Sequence, residues 1–175
     1  MPTPSEQLNP GLFVVRPAAA TVHAKKAARA SMPGPAERLA DKAQVEPLAG
    51  PTPGWLVRLK RRPRSVRAGW TSLHRLLGDA YVVLPALVDD AGRPRYPTGL
   101  LSLRFGNDAS EDALREIASN YALELVGRTK FTRQQALFRP AAGSDVFLPD
   151  VSGRIERDEQ VEAVWFDAES AFNRT

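Results

Sequence analysis

The chain contains no cysteine in its 175 residues, which excludes disulfide frameworks and cysteine-based metal sites. It has no apolar run approaching the roughly 20 residues that a membrane-spanning helix needs. The N-terminal residues MPTPSEQLNPG lack the basic start and apolar core of a signal peptide. These absences predict a cytoplasmic protein without a membrane segment, unless the chain is part of a longer precursor.

The sequence also lacks the motifs of the common catalytic sites. There is no G-x-S-x-G nucleophile, no glycine-rich phosphate loop and no H-E-x-x-H pair. Only two histidines are present, His23 and His74, and both are interpreted as helix residues rather than catalytic bases. Asp89 and Asp90 are adjacent acids before Ala-Gly-Arg-Pro, where they are most simply turn formers. We therefore expect no enzyme activity, no cofactor and no metal site.

The charge of the chain is unevenly distributed. Residues 1–92 carry 13 basic against 7 acidic residues, a net +6, whereas residues 93–175 carry 11 against 13, a net −2. Most of the excess lies in the run RLKRRPRSVR, which could bind nucleic acid or an acidic protein. A solvated strand end and loop is the preferred interpretation, because no aromatic residues interleave the run. Its basic residues are Arg58, Lys60, Arg61, Arg62, Arg64 and Arg67.

Hydrophobic periodicity and turn residues divide the first half into alternating elements. Strands are predicted at 11–17, 45–48, 55–59 and 80–88. Helices are predicted at 21–30, 37–43 and 65–77. Gly78 is predicted to end the last of these helices.

The second half repeats the pattern more regularly. Strands are predicted at 100–105, 123–131, 134–140 and 161–168. One helix is predicted to begin after Ser110, a good N-cap followed by two acids. A second helix is predicted within 145–159, although Pro149 and Gly153 weaken that prediction.

Both halves therefore have the order strand, helix, strand, strand, helix, strand, and VEPLAGPTPGWLVRLKRRP aligns with LELVGRTKFTRQQALFRP at an offset of about 80 residues. This is the order of the ferredoxin-like fold, an antiparallel sheet with both helices on one face. We predict an α+β fold of tandem ferredoxin-like (βαββαβ) repeats. The predicted segments are a loose N-terminus at 1–10, a first repeat at 11–88, a linker at 89–99, a second repeat at 100–169 and an extended tail at 170–175.

Two strands are apolar on both faces. In VEAVWF, Val161, Ala163 and Trp165 alternate with Val164 and Phe166, and AYVVLPALV shows the same pattern. A strand of this kind needs cover on both faces. Either the two repeats cover each other, or at least one bare sheet face docks a partner protein.

Four short motifs stand in order in the second half. They are an apolar strand at 101–105, an acidic helix start at 110–112, a second strand at 121–126 and the closing VEAVWFDAE at 161–169. Together the series resembles the N-terminal propeptides of subtilisin-like serine proteases over residues 98–172. The first repeat and the linker resemble the longer N-terminal regions of some bacterial members of that family.

The resemblance implies a chaperone and inhibitor of a subtilisin-like protease domain, encoded in the same precursor or by a neighbouring gene. Such propeptides dock a sheet face on the protease and lay the following tail in its active-site cleft, where the backbone pairs with the cleft edges. On this basis the docking residues would be Val164, Phe166, Ala168 and Glu169. The inhibitory tail would be Ala171, Phe172, Asn173, Arg174 and Thr175.

Two other functions remain open at this point. A non-enzymatic adaptor, built from two ferredoxin-like repeats, would bind its partner without using residues 171–175. Nucleic-acid binding through the basic run would weaken steeply with salt. The predicted strands, however, lack the exposed aromatic pairs of an RNA-recognition sheet, so nucleic acid is the least favoured partner.

Overall fold

The computed structural model describes residues 8–18, 34–130, 132–141 and 143–170. Within these ranges the chain forms four helices and eight strands, and the strand pairs whose registers are defined are antiparallel. The predicted α+β class is therefore confirmed. The chain divides into two compact units. The first unit contains the described residues up to 98 together with 168–170, and the second contains 99–167.

The first unit contains four strands and two helices, and a fifth strand begins in it. They are β1 Leu8–Pro17, α1 Pro35–Leu39, β2 Ala43–Pro47, β3 Trp55–Leu59, α2 Val66–Leu77 and β4 Tyr81–Val88. The strand order is β2-β3-β1-β4, and in the register Phe13 lies opposite both Val57 and Pro85. The helix predicted at 21–30, with His23, lies outside the described residues.

Helix α2 begins and ends on the signals that the sequence supplies. The Ser65 hydroxyl accepts a hydrogen bond from the Ala68 amide at 3.0 Å, which satisfies one of the free donors of the first turn. Gly78 follows with φ +70°, a conformation that favours glycine, and its amide donates to the His74 carbonyl at 2.9 Å. His74 is a helix residue whose ring stacks on Trp70, with 4.9 Å between centroids.

The central strand β1 of the first unit is buried on both faces. Phe13 and Val15 are fully buried, and a Cβ built on Gly69 of α2 would lie 2.8 Å from the Phe13 ring, which places Phe13 on the helix side. Because side chains alternate along a strand, Leu12 and Val14 point to the other face, yet they too are at most 4% exposed.

The second unit contains the remaining strands and helices. They are β5 Pro94–Phe105, α3 Glu111–Asn120, β6 Leu123–Arg128, β7 Gln135–Pro140, α4 Leu148–Ile155 and β8 Val161–Ser170. Strand β7 lies between β5 and β6, and β8 pairs with β5, so the order is β6-β7-β5-β8. Residues 94–98 of β5 and 168–170 of β8 group with the first unit.

The helices of the second unit start as their sequences require. The Ser110 hydroxyl accepts from the Ala113 amide at 3.1 Å, and Glu111 and Asp112 occupy the first turn, where acids complement the helix dipole. Helix α4 begins at Leu148, so Pro149 lies in the first turn. Proline is tolerated there because the first amides have no intrahelical partner, so Pro149 is compatible with the helix that was predicted within 145–159.

Two segments predicted to lack structure contain strands. Strand β1 begins at Leu8, inside the segment 1–10 that was predicted to be loose, and the predicted linker at 89–99 is a turn followed by the start of β5. In that turn a carboxylate oxygen of Asp89 accepts from the amides of Ala91 and Arg93 at 2.9 and 2.8 Å, which confirms Asp89 as a turn former. Leu87 then lies opposite Arg95 in the β4–β5 hairpin.

Candidate docking face

One face of the second unit's sheet packs under the helices, and the other does not. Leu101, Leu103 and Phe105 of β5 are at most 3% exposed, so these residues mark the helix side. Arg104 alternates with them and is exposed, and it lies opposite Gln135 of β7.

Strand β8 continues this second face. Arg104 Nε lies 3.0 Å from Glu162 Oε2, which places Glu162 on the same side of the sheet. Alternation then puts Val164 and Phe166 on that side, and both are partly exposed. Leu137 of β7 is partly exposed on the same side, whereas its cross-strand neighbour Ser102 is 2% exposed. We call the surface formed by Arg104, Leu137, Glu162, Val164 and Phe166 the open face.

Charged pairs flank the apolar part of the open face. Besides Arg104 and Glu162, Arg139 of β7 donates two hydrogen bonds to Glu124 of β6 at 3.0 and 3.1 Å, from cross-strand partners. The hydrogen bond from Arg139 lowers the pKa of Glu124 below its ordinary value. Exposed pairs of this kind add little stability. A polar, charged rim around an apolar centre is the usual composition of a protein-docking surface.

Trp165 does not belong to the core or to the open face. Trp165 is 41% exposed, and its position alternates with those of Val164 and Phe166 along β8. At this exposure, Trp165→Ala is not expected to cost the ~3–5 kcal/mol of a core tryptophan.

The other two predicted docking residues lie in a different environment. The Ala168 carbonyl accepts a hydrogen bond from Arg95 Nη2 at 3.2 Å. The Glu169 side chain is 15% exposed and lies 3.7 Å from Arg16 Nη2, and it accepts from the Thr52 amide at 3.2 Å. The structure therefore brings Val164 and Phe166 together on the open face and holds Ala168 and Glu169 within the first unit. The signal for this polar cluster is weak in the sequence, because its members are far apart along the chain.

The six basic residues of the run 58–67 are all exposed. Arg58 lies in β3 opposite Gln44, and the ammonium group of Lys60 donates to the Ala40 carbonyl at 2.8 Å. Arg67 follows the N-cap of α2, whose first turn contains no acid. The run forms a positively charged surface, and its proposed partners remain a prediction.

The predicted inhibitory tail, residues 171–175, lies outside the described residues. A scan against protein-family models and a search of curated protein sequences found no match to the chain. Among the described residues, the helices are too short or too polar to cross a bilayer.

Proposed function

We propose that the chain is a non-enzymatic, propeptide-like chaperone and inhibitor of a subtilisin-like serine protease. The observation that carries the proposal is the open face, where Leu137, Val164 and Phe166 present partly exposed apolar surface flanked by two ion pairs. The second unit, residues 99–167, also falls within the region that resembles these propeptides, residues 98–172.

The strand orders support the finer fold assignment on which this function depends. In each unit the first strand lies between the third and the fourth, and the second strand lies at an edge. This is the order expected of a ferredoxin-like βαββαβ unit. We propose that the chain is a tandem of two such units.

The proposed mechanism has two parts. The open face of the folded second unit provides a preformed surface on which the protease completes its own folding, because binding only the native protease stabilises it by mass action. Residues 171–175 then occupy the active-site cleft as an extended product-like strand, and the docked face raises the effective concentration of this tail at the cleft.

The test uses a subtilisin-like protease, ideally one encoded next to this chain's gene, and three versions of the chain. The full chain is expected to inhibit the protease and to increase the recovery of activity when the denatured protease domain is refolded. A chain ending at Ser170 should still assist refolding but no longer inhibit. Phe166→Asp should lose both activities, because a carboxylate on the apolar centre of the open face cannot be desolvated without a partner.

Asn120→Asp is the matched control, since Asn120 is an exposed residue at the end of α3. It adds the same charge as Phe166→Asp but lies on a helix instead of the open face, so both activities should remain. A full chain that neither inhibits nor assists refolding contradicts the proposal.

The second candidate is an adaptor that docks a partner through the open face alone. It is favoured by the placement of Val164 and Phe166, which does not depend on the tail. Equal binding of one partner by the full chain and by the chain ending at Ser170 would move this function to first place.

A further inference from the structure

A buried arginine lies at the end of β1. Arg16 is 3% exposed, and its guanidinium group is surrounded by oxygens of the first unit. Nε donates to the Pro97 carbonyl at 2.7 Å, and Nη1 donates to the carbonyls of Thr52 and Pro53 at 2.8 and 3.3 Å. Carbonyl groups satisfy these donors but do not neutralise the charge. A buried charge requires an opposite charge nearby.

Glu169 supplies that opposite charge from the other end of the sequence. Its Oε2 lies 3.7 Å from Arg16 Nη2, and its side chain is largely buried. Oε1 accepts hydrogen bonds from both the amide and the hydroxyl of Thr52. The carboxylate is therefore held by one ion pair and two hydrogen bonds, all from the first unit.

The turn GPTPG, residues 50–54, is shaped around this pair. A Cβ built on Gly50 would overlap Glu169 Oε2, and one on Gly54 would lie 3.0 Å from the Val15 carbonyl oxygen and 3.1 Å from Arg16 Cγ. The two glycines leave the space that the carboxylate and the guanidinium group occupy. A side chain at either position would force the cluster apart.

We propose that Arg16 and Glu169 form a latch that fixes the end of β8 in the first unit, and that tail-dependent inhibition requires this latch. Glu169 is thus a positioning residue that acts through the end of β8. The expected effect on inhibition rests on the proposed function, whereas the latch itself does not.

The test compares the two ion-paired glutamates of β8 by amide hydrogen exchange in the full chain. Glu169→Gln keeps the shape of the side chain and removes its charge. Protection of the amides at 168–170 is expected to fall by at least about tenfold, because one partner of a buried pair has been removed. Glu162→Gln, which disrupts an exposed pair on the same strand, should leave those amides unchanged.

The amides of Phe13 and Val57, both fully buried, report on the core of the first unit. The latch is supported if residues 168–170 lose protection while these core amides keep theirs. It is overturned if 168–170 are unaffected, or if they lose protection only in step with the core, since the pair would then be a general stabiliser. If Glu169→Gln does not fold, Thr52→Val removes the hydroxyl donor alone and is interpreted by the same criteria.

Inhibition provides a second, separable measurement. Glu169→Gln should weaken tail-dependent inhibition by about tenfold, the same factor as its loss of protection, while its assistance to refolding persists. An exchange result as expected, together with a wild-type chain that does not inhibit, contradicts the proposed function and leaves the latch standing. An unchanged exchange pattern with normal inhibition contradicts the latch and leaves the proposed function standing.

Discussion

The two units have the same strand order, but the residues compared here on the face away from the helices are buried to different extents. In the first unit Val14 and Leu84, which face away from the helices, are at most 1% exposed. In the second unit Val164 and Phe166, on the corresponding face, are partly exposed. The same strand order is therefore compatible with different degrees of burial on the face away from the helices.

The largest expected difference comes from shortening one valine in each unit. Val14→Ala should reduce the free energy of unfolding by ~2–3 kcal/mol, because a cavity remains in a buried site. Val164→Ala should cost less than ~1 kcal/mol, because solvent already reaches the side chain. Urea denaturation of both variants measures the difference. Equal losses would mean that the two faces are covered to the same extent.

A smaller difference in stability is expected between glycine variants in the second helix of each unit, α2 and α4. Gly69→Ala in α2 should destabilise by ~1–2 kcal/mol, because the new methyl group would press on the fully buried Phe13 ring and on Pro63. Gly153→Ala in α4 meets no atom within 4 Å and should stabilise by ~0.5–1 kcal/mol through helix propensity.

Thermal unfolding of the two glycine variants measures these opposite signs. A neutral or stabilising Gly69→Ala would show that α2 does not pack tightly on β1. A destabilising Gly153→Ala would contradict the finding that no atom lies within 4 Å of a Cβ at this position.

The smallest effect concerns the rim of the open face. The hydrogen bond from Arg139 holds the pKa of Glu124 below its ordinary value of 4.5. A carboxylate with a lowered folded-state pKa contributes stability above its unfolded pKa, and this contribution is lost as the pH falls through the folded pKa. Carboxyl NMR titration should give a lowered pKa in the wild type and an ordinary one in Arg139→Gln. The same Glu124 pKa in the wild type and in Arg139→Gln would show that the Arg139–Glu124 pair does not form in solution.

Hydrophobic periodicity predicted the elements whose apolar residues recur cleanly. Helix α2, predicted at 65–77, forms at 66–77, because Ser65 and Gly78 mark its ends. The start of β5 was missed, because the prolines of PRYPTG argue against a strand. Hairpin pairing with β4, at Leu87 and Arg95, overrides that local preference.

The candidate site was predictable only in part. Alternation along VEAVWF placed Val164 and Phe166 on one face, and the structure gives them the expected common side. Glu169 could not be placed in the same way, because its environment depends on Arg16 and Thr52, which are distant in sequence. Strand patterns identify the face of a residue, but they do not identify a long-range charge partner.

The most direct test of the central claim is the affinity of the chain for a subtilisin-like protease with the catalytic serine replaced by alanine, so that binding is measured without cleavage. Calorimetry should show binding by the wild type, the same affinity for Asn120→Asp and at least about a tenfold loss for Phe166→Asp, which corresponds to about 1.4 kcal/mol. Equal affinities for all three chains, or no binding by the wild type, would contradict a docking role for the open face.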